Sequence, residues 1–403
     1  MFVEPWGVSA GGLRGGRLRF GAGKAAAFPS LIDLARIGGR MLGDLRAVVI
    51  LAIGVAACSD APFAPDPIAD LPPDLAAITF AAEGRPTTPY TMLELRMTGG
   101  FSGFVAVDGA GRPVWFFRTL GTSSGFARRS NGNFVFMDGG RGLVEVDRAG
   151  NVVRELAQEA RPGRRMHHDV TVTPRNTLLF LAEDWQPWEG QPLCGEALWE
   201  WDPEAGTATK RWSSFSHLDP RYDWGARSIR EDWLHANSVS YGPRGNVLVS
   251  FHFLNQVISL SPDLERVQWR LGGVRADVPV DDPFSGQHTA QEVSPDRVLL
   301  FDNGYERTET RYSRAAEYEL RGGAATKVWE WRPPTDNWAR IISSVRRLPN
   351  GNSLVAFGTS AAAAAGTTGP IEAYEVTSGG RVVWHLVVSG AVSSMYRATP
   401  FQF

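Results

Sequence analysis

Residues 244–269 open as Arg244-Gly245-Asn246-Val247-Leu248-Val249-Ser250-Phe251, continue through Ile258-Ser259-Leu260 and end on Gln268-Trp269. The opening is a turn, because Gly at its centre adopts backbone angles that other residues avoid. The run that follows alternates: Val247, Val249 and Phe251 face one way, Leu248 and Ser250 the other, which is the period of a β-strand. The unit recurs. Asn131-Gly132-Asn133 leads through Glu145-Val146-Asp147 to Val152-Val153, and Asn350-Gly351-Asn352 leads through Tyr374-Glu375-Val376 to Val383-Trp384. Related runs end at Trp115, Trp212 and Trp329. The endings at 115, 153, 212, 269, 329 and 384 are 38, 59, 57, 60 and 55 residues apart. Several short strands per unit at a period of about 40–60 residues predict a β-propeller. Six endings predict six blades in an all-β fold. The short first interval predicts that one blade is assembled from both chain ends, with strands from 90–97 and 395–403. Such closure removes the unpaired edges that an open ring exposes.

Composition agrees. Fourteen Trp and 44 Gly among 403 residues, with turn signals throughout, fit a β-rich protein better than a helical one. A formal net charge of −2 argues against a general nucleic-acid binder, which needs a basic face. Beyond the N-terminal region no segment is apolar enough to span a bilayer.

The N-terminal region reads differently. From Met41 a short segment with one Arg precedes the apolar run Ala47 to Ala57 and then Cys58-Ser59-Asp60. The run is too short to span a membrane and ends in small residues, as a secretory signal does. Val55-Ala56-Ala57-Cys58 resembles a bacterial lipobox, in which the cysteine becomes the lipidated mature N-terminus. The prolines at 62, 65, 67, 72 and 73 suit a tether. The expected organisation is an N-terminal extension over 1–40 with an earlier start than the true one, a lipoprotein-type signal over 41–58, a linker over 59–80 and a propeller over 81–403. Acylated Cys58 would hold the protein on a membrane of the bacterial cell envelope without a transmembrane helix. A disulfide between Cys58 and Cys194 is the alternative on paper; with Cys58 lipidated, Cys194 is inert.

Histidine carries the chemistry. Four of the seven histidines sit in Met166-His167-His168-Asp169, Asp232-Trp233-Leu234-His235-Ala236-Asn237 and Gln287-His288-Thr289, each at the head of a strand-like run. In a propeller the first strand of each blade lines a central channel, so these side chains are expected to converge at one mouth. An isolated histidine is usually a satisfied core residue; three motifs in register predict a site.

Asp232-Trp233-Leu234-His235-Ala236-Asn237-Ser238, Gln287-His288-Thr289, Phe301-Asp302-Asn303-Gly304, Ser313-Arg314-Ala315 and Tyr396-Arg397-Ala398 together resemble the bacterial arylsulfotransferase (aryl-sulfate sulfotransferase) family, over about residues 100–400. The resemblance implies a six-bladed propeller that moves a sulfuryl group from a phenolic sulfate ester to a phenol without a nucleotide donor. The chain has no Gly-rich phosphate loop, and no cofactor is expected. The resemblance further implies His288 as the nucleophile that forms a sulfohistidine, with His168 or its neighbour His167, His235 and Asn237 as channel groups. Catalytic roles are expected for His288, His235, His168, His252 and Arg314, and substrate contacts for His167, Asn237 and Asn303. The chemistry is reasonable: a neutral imidazole is nucleophilic near neutral pH, and charge on the sulfuryl oxygens calls for fixed donors.

One position departs from the pattern. The family carries an arginine at the end of the strand that here reads Val247-Leu248-Val249-Ser250-Phe251-His252, so histidine stands where a charged fork is expected. Arg314 is expected to compensate if it points inward, with a structural ion pair as the even alternative. Asp169 is expected in a turn or behind His168, and Tyr396-Arg397-Ala398 in ring closure. The Ala361–Ala365 run is expected to be a loop without chemistry. Two other readings stay open: a propeller lipoprotein that binds or assembles without catalysis, and a divalent metal held by three imidazoles. The identity of the phenols and the oligomeric state are not readable.

Overall fold

The computed structural model describes residues 65–97, 99–359 and 371–403. The 1–40 extension, the 41–58 segment with Cys58, the linker up to residue 64 and the Ala361–Ala365 run lie outside the described residues. In chain order the strands are β1 (Ile78–Gly84), β2 (Tyr90–Met97), β3 (Ser102–Asp108) and β4 (Pro113–Arg118); then β5 (Ser123–Arg128), β6 (Phe134–Asp138), β7 (Gly142–Val146) and β8 (Val152–Ala157). They continue as β9 (Met166–Val172), β10 (Leu178–Trp188), β11 (Gln191–Asp202) and β12 (Thr207–Ser213); β13 (Ala236–Tyr241), β14 (Val247–Phe251), β15 (Gln256–Leu260) and β16 (Val267–Leu271). The last are β17 (His288–Ser294), β18 (Arg297–Asp302), β19 (Arg314–Arg321) and β20 (Ala324–Trp331); β21 (Ser344–Arg347), β22 (Ser353–Phe357), β23 (Ile371–Val376) and β24 (Val382–Gly390); and β25 (Val392–Phe401).

These strands form six antiparallel sheets, the blades of a six-bladed propeller. Blades two to five take four consecutive strands each, β5–β8 to β17–β20. Closure uses both chain ends, as expected. β25 supplies the inner strand of the first blade, with Tyr90 opposite Phe401 and Leu93 opposite Ala398, and β1 adds a fifth, outermost strand to the sixth blade beside β24. The short repeat interval has another cause: it belongs to the second blade, whose β-turns are tight, and not to the closing one. The boundary at residue 81 also moves. β1 begins at Ile78, and Leu75, in the short helix α1 (Pro73–Ala76), is fully buried in the core between the first and sixth blades.

The alternation of the sequence sorts side chains between neighbouring blades. Val247, Val249 and Phe251 of β14 enter the core shared with the third blade, and Leu248 enters the core shared with the fifth. Both faces of a blade are therefore buried, which explains why β6, β7, β14, β15 and β22 are buried throughout and mostly apolar.

The recurring punctuation of the repeats has a structural origin. Trp115, Trp329 and Trp384 lie on outer strands, and each donates its indole N–H to a carbonyl in the next blade: Arg148 O at 3.0 Å, Ser378 O at 2.9 Å and Gly109 O at 2.8 Å. At these three endings the Trp is thus an inter-blade staple, apolar body and polar tip in one side chain. The Asn-Gly-Asn turns are tied to the acidic residue of the third strand, Asn133 Nδ2 to Glu145 at 2.6 Å and Asn352 Nδ2 to Glu375 at 2.5 Å. Trp384 tests the staple. Trp384→Phe keeps most of the buried surface and should cost about 1 kcal/mol, whereas Trp384→Ala should cost about 3–5 kcal/mol, both read from urea unfolding.

Candidate active site

The inner strands are irregular where they begin. β9, β13, β17, β25 and β5 each carry a register shift near the channel mouth, at residues 167–169, 237, 289–290, 396–397 and 125 respectively. A bulge bends a strand and re-aims the extra side chain. His168, His235 and Thr289, none of them glycine, hold left-handed φ values of 60°, 53° and 47° at these places. Such backbone is costly and is retained where the surroundings fix it. The histidine motifs therefore mark bulges rather than plain strand starts.

The bulges bring five imidazoles into one row. Ring centroids are 4.9 Å apart from His167 to His168, 4.8 Å from His168 to His235, 5.3 Å from His235 to His252 and 5.1 Å from His252 to His288. Tyr396 faces the row at two places, 6.0 Å from His168 and 6.4 Å from His288 at its end.

The partners of each ring assign its proton. His288 is buried, and burial pushes its pKa down to about 3, so the ring is neutral. Its Nδ1 lies 2.8 Å from Asn303 Oδ1 and 3.2 Å from the Gly286 carbonyl. The orientation of the Asn303 amide is settled by its Nδ2, which donates to the Ala339 and Ile342 carbonyls at 2.7 and 2.9 Å. Two acceptors at Nδ1 require Nδ1–H, leaving the lone pair on Nε2. His235 is the opposite case. Burial alone would lower its pKa, but the Asp232 carboxylate, 2.5 Å from Nδ1, raises it. His167 is likewise raised against burial by Glu196, at 3.0 Å from Nε2. His168 is driven well down by burial and by the charges of His235 and His167. His167 thus donates from Nδ1 to Nδ1 of His168, 2.8 Å away, and neutral His168 keeps its proton on Nε2. His252 is also driven well down, by burial and by Arg227, whose Nη1 donates to Nε2 at 2.9 Å.

Arg227 is absent from the sequence-based reading. It comes from the irregular segment before β13, where no periodicity marks it, and brings a guanidinium to the strand end at which His252 replaces the expected arginine. It also reaches Asn255 Oδ1 at 2.7 Å and covers the Tyr305 ring at 4.3 Å. Gly286, at φ +63°, makes this meeting possible: a Cβ there would lie 2.7 Å from Tyr305 Cβ and 3.0 Å from His252 Cε1.

Three expectations change. Arg314 does not join the imidazoles: its guanidinium is 1% exposed and is held by Asp302, Asp282 and Glu330 at 2.8–2.9 Å. Asn303 is fully buried, with its amide committed to His288 and two carbonyls, so it positions the ring and offers nothing to substrate. Asn237, also buried, donates to the Gln287 carbonyl at 2.7 Å and so ties β13 to the residue before His288. His167 stands behind His168, bridging it to Glu196. Asp169 and Arg397, by contrast, meet across the channel: Arg397 binds the Asp169 carboxylate and donates to the Asn237 carbonyl at 2.7 Å. Tyr396-Arg397 therefore serves closure and site together. Deeper in the channel wall, burial raises buried Glu94 to about 7. Cys194 is a free, buried thiol whose pKa burial pushes up. Among the described residues no three His, Cys, Asp or Glu side chains are grouped so as to hold a metal ion.

Comparison with known proteins bears on this arrangement. The family described as Arylsulfotransferase (ASST) matches residues 85–397. No curated protein matches the chain. Among solved structures, a protein of unknown function from Bacteroides caccae superposes with a TM-score of 0.53 at 13% identity, over 78% of this chain and all of that one. A putative 6-phosphogluconolactonase from Bacteroides fragilis gives 0.45 at 12% identity, over 73% of this chain and 80% of that one. At these identities the likeness is one of fold.

The depressed histidines set a pH dependence of stability. His168, His252 and His288 stay neutral in the folded protein but charge near pH ~6.5 once unfolded. Their contribution is complete above that value and is lost as pH falls below it toward the folded pKa. His235, raised when folded, contributes below about pH 6.5 and loses its contribution as pH rises through the folded value. The unfolding midpoint should therefore drop on acidification from about pH 6.5, and His288→Gln should flatten that drop in calorimetric scans.

Proposed function

The chain belongs to the arylsulfotransferase family, and from that premise we propose that it transfers a sulfuryl group from an aryl sulfate ester to a phenol through a sulfohistidine at His288. The observation that carries this reading is the tautomer of His288: Nδ1–H is held by Asn303 and Gly286, and Nε2 keeps its lone pair. In the first half-reaction Nε2 attacks sulfur, the S–O bond to the aryl group breaks, and the departing phenolate takes a proton from protonated His235. The sulfated ring carries positive charge, which the Asn303 and Gly286 oxygens stabilise through Nδ1–H. In the second half the acceptor phenol returns its proton to His235, its oxygen attacks sulfur, and the N–S bond breaks. The protonation of His235 suits an acid that becomes a base, and the Asp232 carboxylate keeps it oriented. His168 Nε2–H and the Arg227 guanidinium are donors suited to the sulfuryl oxygens.

Arg227 answers the departure at His252. Where the family pattern has an arginine on the strand, this chain has a neutral imidazole with a guanidinium docked on it from the preceding segment. The apolar run before Cys58 further supports export and lipid anchoring in the cell envelope; Cys58→Ser should move the protein from the detergent phase to the soluble fraction.

The purified protein should be incubated with a chromogenic aryl sulfate and mapped by peptide mass, with and without a phenol. A sulfuryl adduct on the His288 peptide that disappears on adding phenol is expected, with no adduct in His288→Ala. Arg227→Ala should lower kcat by about 10²–10³, the usual loss for a donor to a developing oxyanion. Phenol release that persists in His288→Ala would rule out the nucleophile.

A further inference from the structure

Beside the imidazole row a cavity of about 350 Å³ opens to solvent, lined by Tyr305, Glu306, Arg307, Arg311, Trp338 and Arg340 among others. That is near the lower end of the ~300–1,000 Å³ of small-molecule sites. It adjoins the row through one residue: the Tyr305 ring is 5.8 Å from His252, edge to face.

The charges in this cavity are unusual for the chain. Arg112, Arg175 and Arg244, at the exposed turns of other blades, each pair with a carboxylate. Arg311 and Arg340 have no carboxylate partner among the described residues. Each lies against an aromatic ring, Arg311 at 4.7 Å from Trp338 and Arg340 at 5.0 Å from Tyr305, whose hydroxyl accepts from Arg340 Nη2 at 2.7 Å. Arg227 covers the same Tyr305 ring. The other charges are already committed: Arg307 binds Asp302, and Glu306 accepts from Asn255 Nδ2 at 2.8 Å. What remains is two exposed guanidiniums without a carboxylate, each over an aromatic ring, next to the imidazole row.

We propose that this cavity is a subsite for the anionic end of an aromatic substrate, so that the preferred acceptor is a phenol bearing a carboxylate or comparable anion opposite its hydroxyl. The inference rests on the sulfuryl-transfer reading for its place in the reaction. Arg311 and Arg340 take the anion as forks, each held in place by the ring beneath it, and the substrate ring packs against the edges of Tyr305 and Trp338. A neutral phenol of the same size gains only that packing.

Two measurements test the subsite separately from the activity. The first titrates Trp fluorescence with 4-hydroxyphenylacetate, without donor, against the neutral 4-hydroxyphenylacetamide. Saturable quenching by the anion alone is expected, weakened about tenfold or more in Arg311→Ala/Arg340→Ala, as for loss of a charge-assisted hydrogen bond. The second compares both compounds as acceptors: the double variant should raise KM for the anion about tenfold and leave the amide unchanged. Equal binding of anion and amide to wild type, or equal losses for both in the variant, would overturn the subsite even in an enzyme that transfers sulfate. Anion-selective binding without any transfer would uphold the subsite and refute the transfer reading instead. Both arginines are at the surface, and an unchanged thermal midpoint verifies that the variant is folded.

Discussion

Closure of the ring is the constraint on which everything else rests. Six sheets arranged around an axis leave no free inner edge only if the last strand finds the first blade, and β25 does so by pairing along β2 from Tyr90 to Met97. The same strand crosses the channel with its side chains. Arg397 reaches Asp169 on the third blade and the Asn237 carbonyl on the fourth, so a contact spanning 228 residues of chain joins blades that are not neighbours. Backbone pairing closes the rim and this buried ion pair braces the interior. Tyr396, one residue earlier, faces His168 and His288 of the histidine row. Structure and site are consequently one assembly.

Five imidazoles at contact distance could not all be charged, since each added proton repels the next in a buried setting. The fold resolves this by giving carboxylates to His167 and His235 only. Between and beyond them, His168, His252 and His288 meet donors, amides or carbonyls, which suit a neutral ring. Each neutral ring then has one nitrogen whose role is dictated by its neighbour. The row is ordered by its second layer, and the tautomer of His288 is set by the buried amide of Asn303 and the Gly286 carbonyl.

Much of the fold was legible because propeller geometry repeats its requirements. An outer strand that must fill a gap and donate to the adjacent blade selects tryptophan, and so the endings at Trp115, Trp329 and Trp384 count blades. The histidine motifs were legible for a related reason: bulges recur at one register, so chemistry placed on them recurs too. What stayed hidden was held by contacts distant in sequence. Arg227 belongs to a segment without periodicity and meets His252 only in space, so the strand looked deficient in charge when it was not. Arg314 misled in the other direction: a motif arginine reads equally well as a catalytic donor or a structural pair, and the acidic neighbours that decide between them, Asp282 and Glu330, lie 32 and 16 residues away.

The position of Arg397 in the chain also orders events in time. During synthesis His167, His168, His235, His252 and His288 all emerge before β25 exists. Until then the first blade lacks its inner strand, Asp169 lacks its cation, and the row has no tyrosine to face. A ribosome-bound chain therefore carries every histidine of the site and no channel to hold them in. β25 is thus the strand that turns a collection of side chains into one arrangement, because Tyr396 and Arg397 meet the row only after that strand has paired with β2.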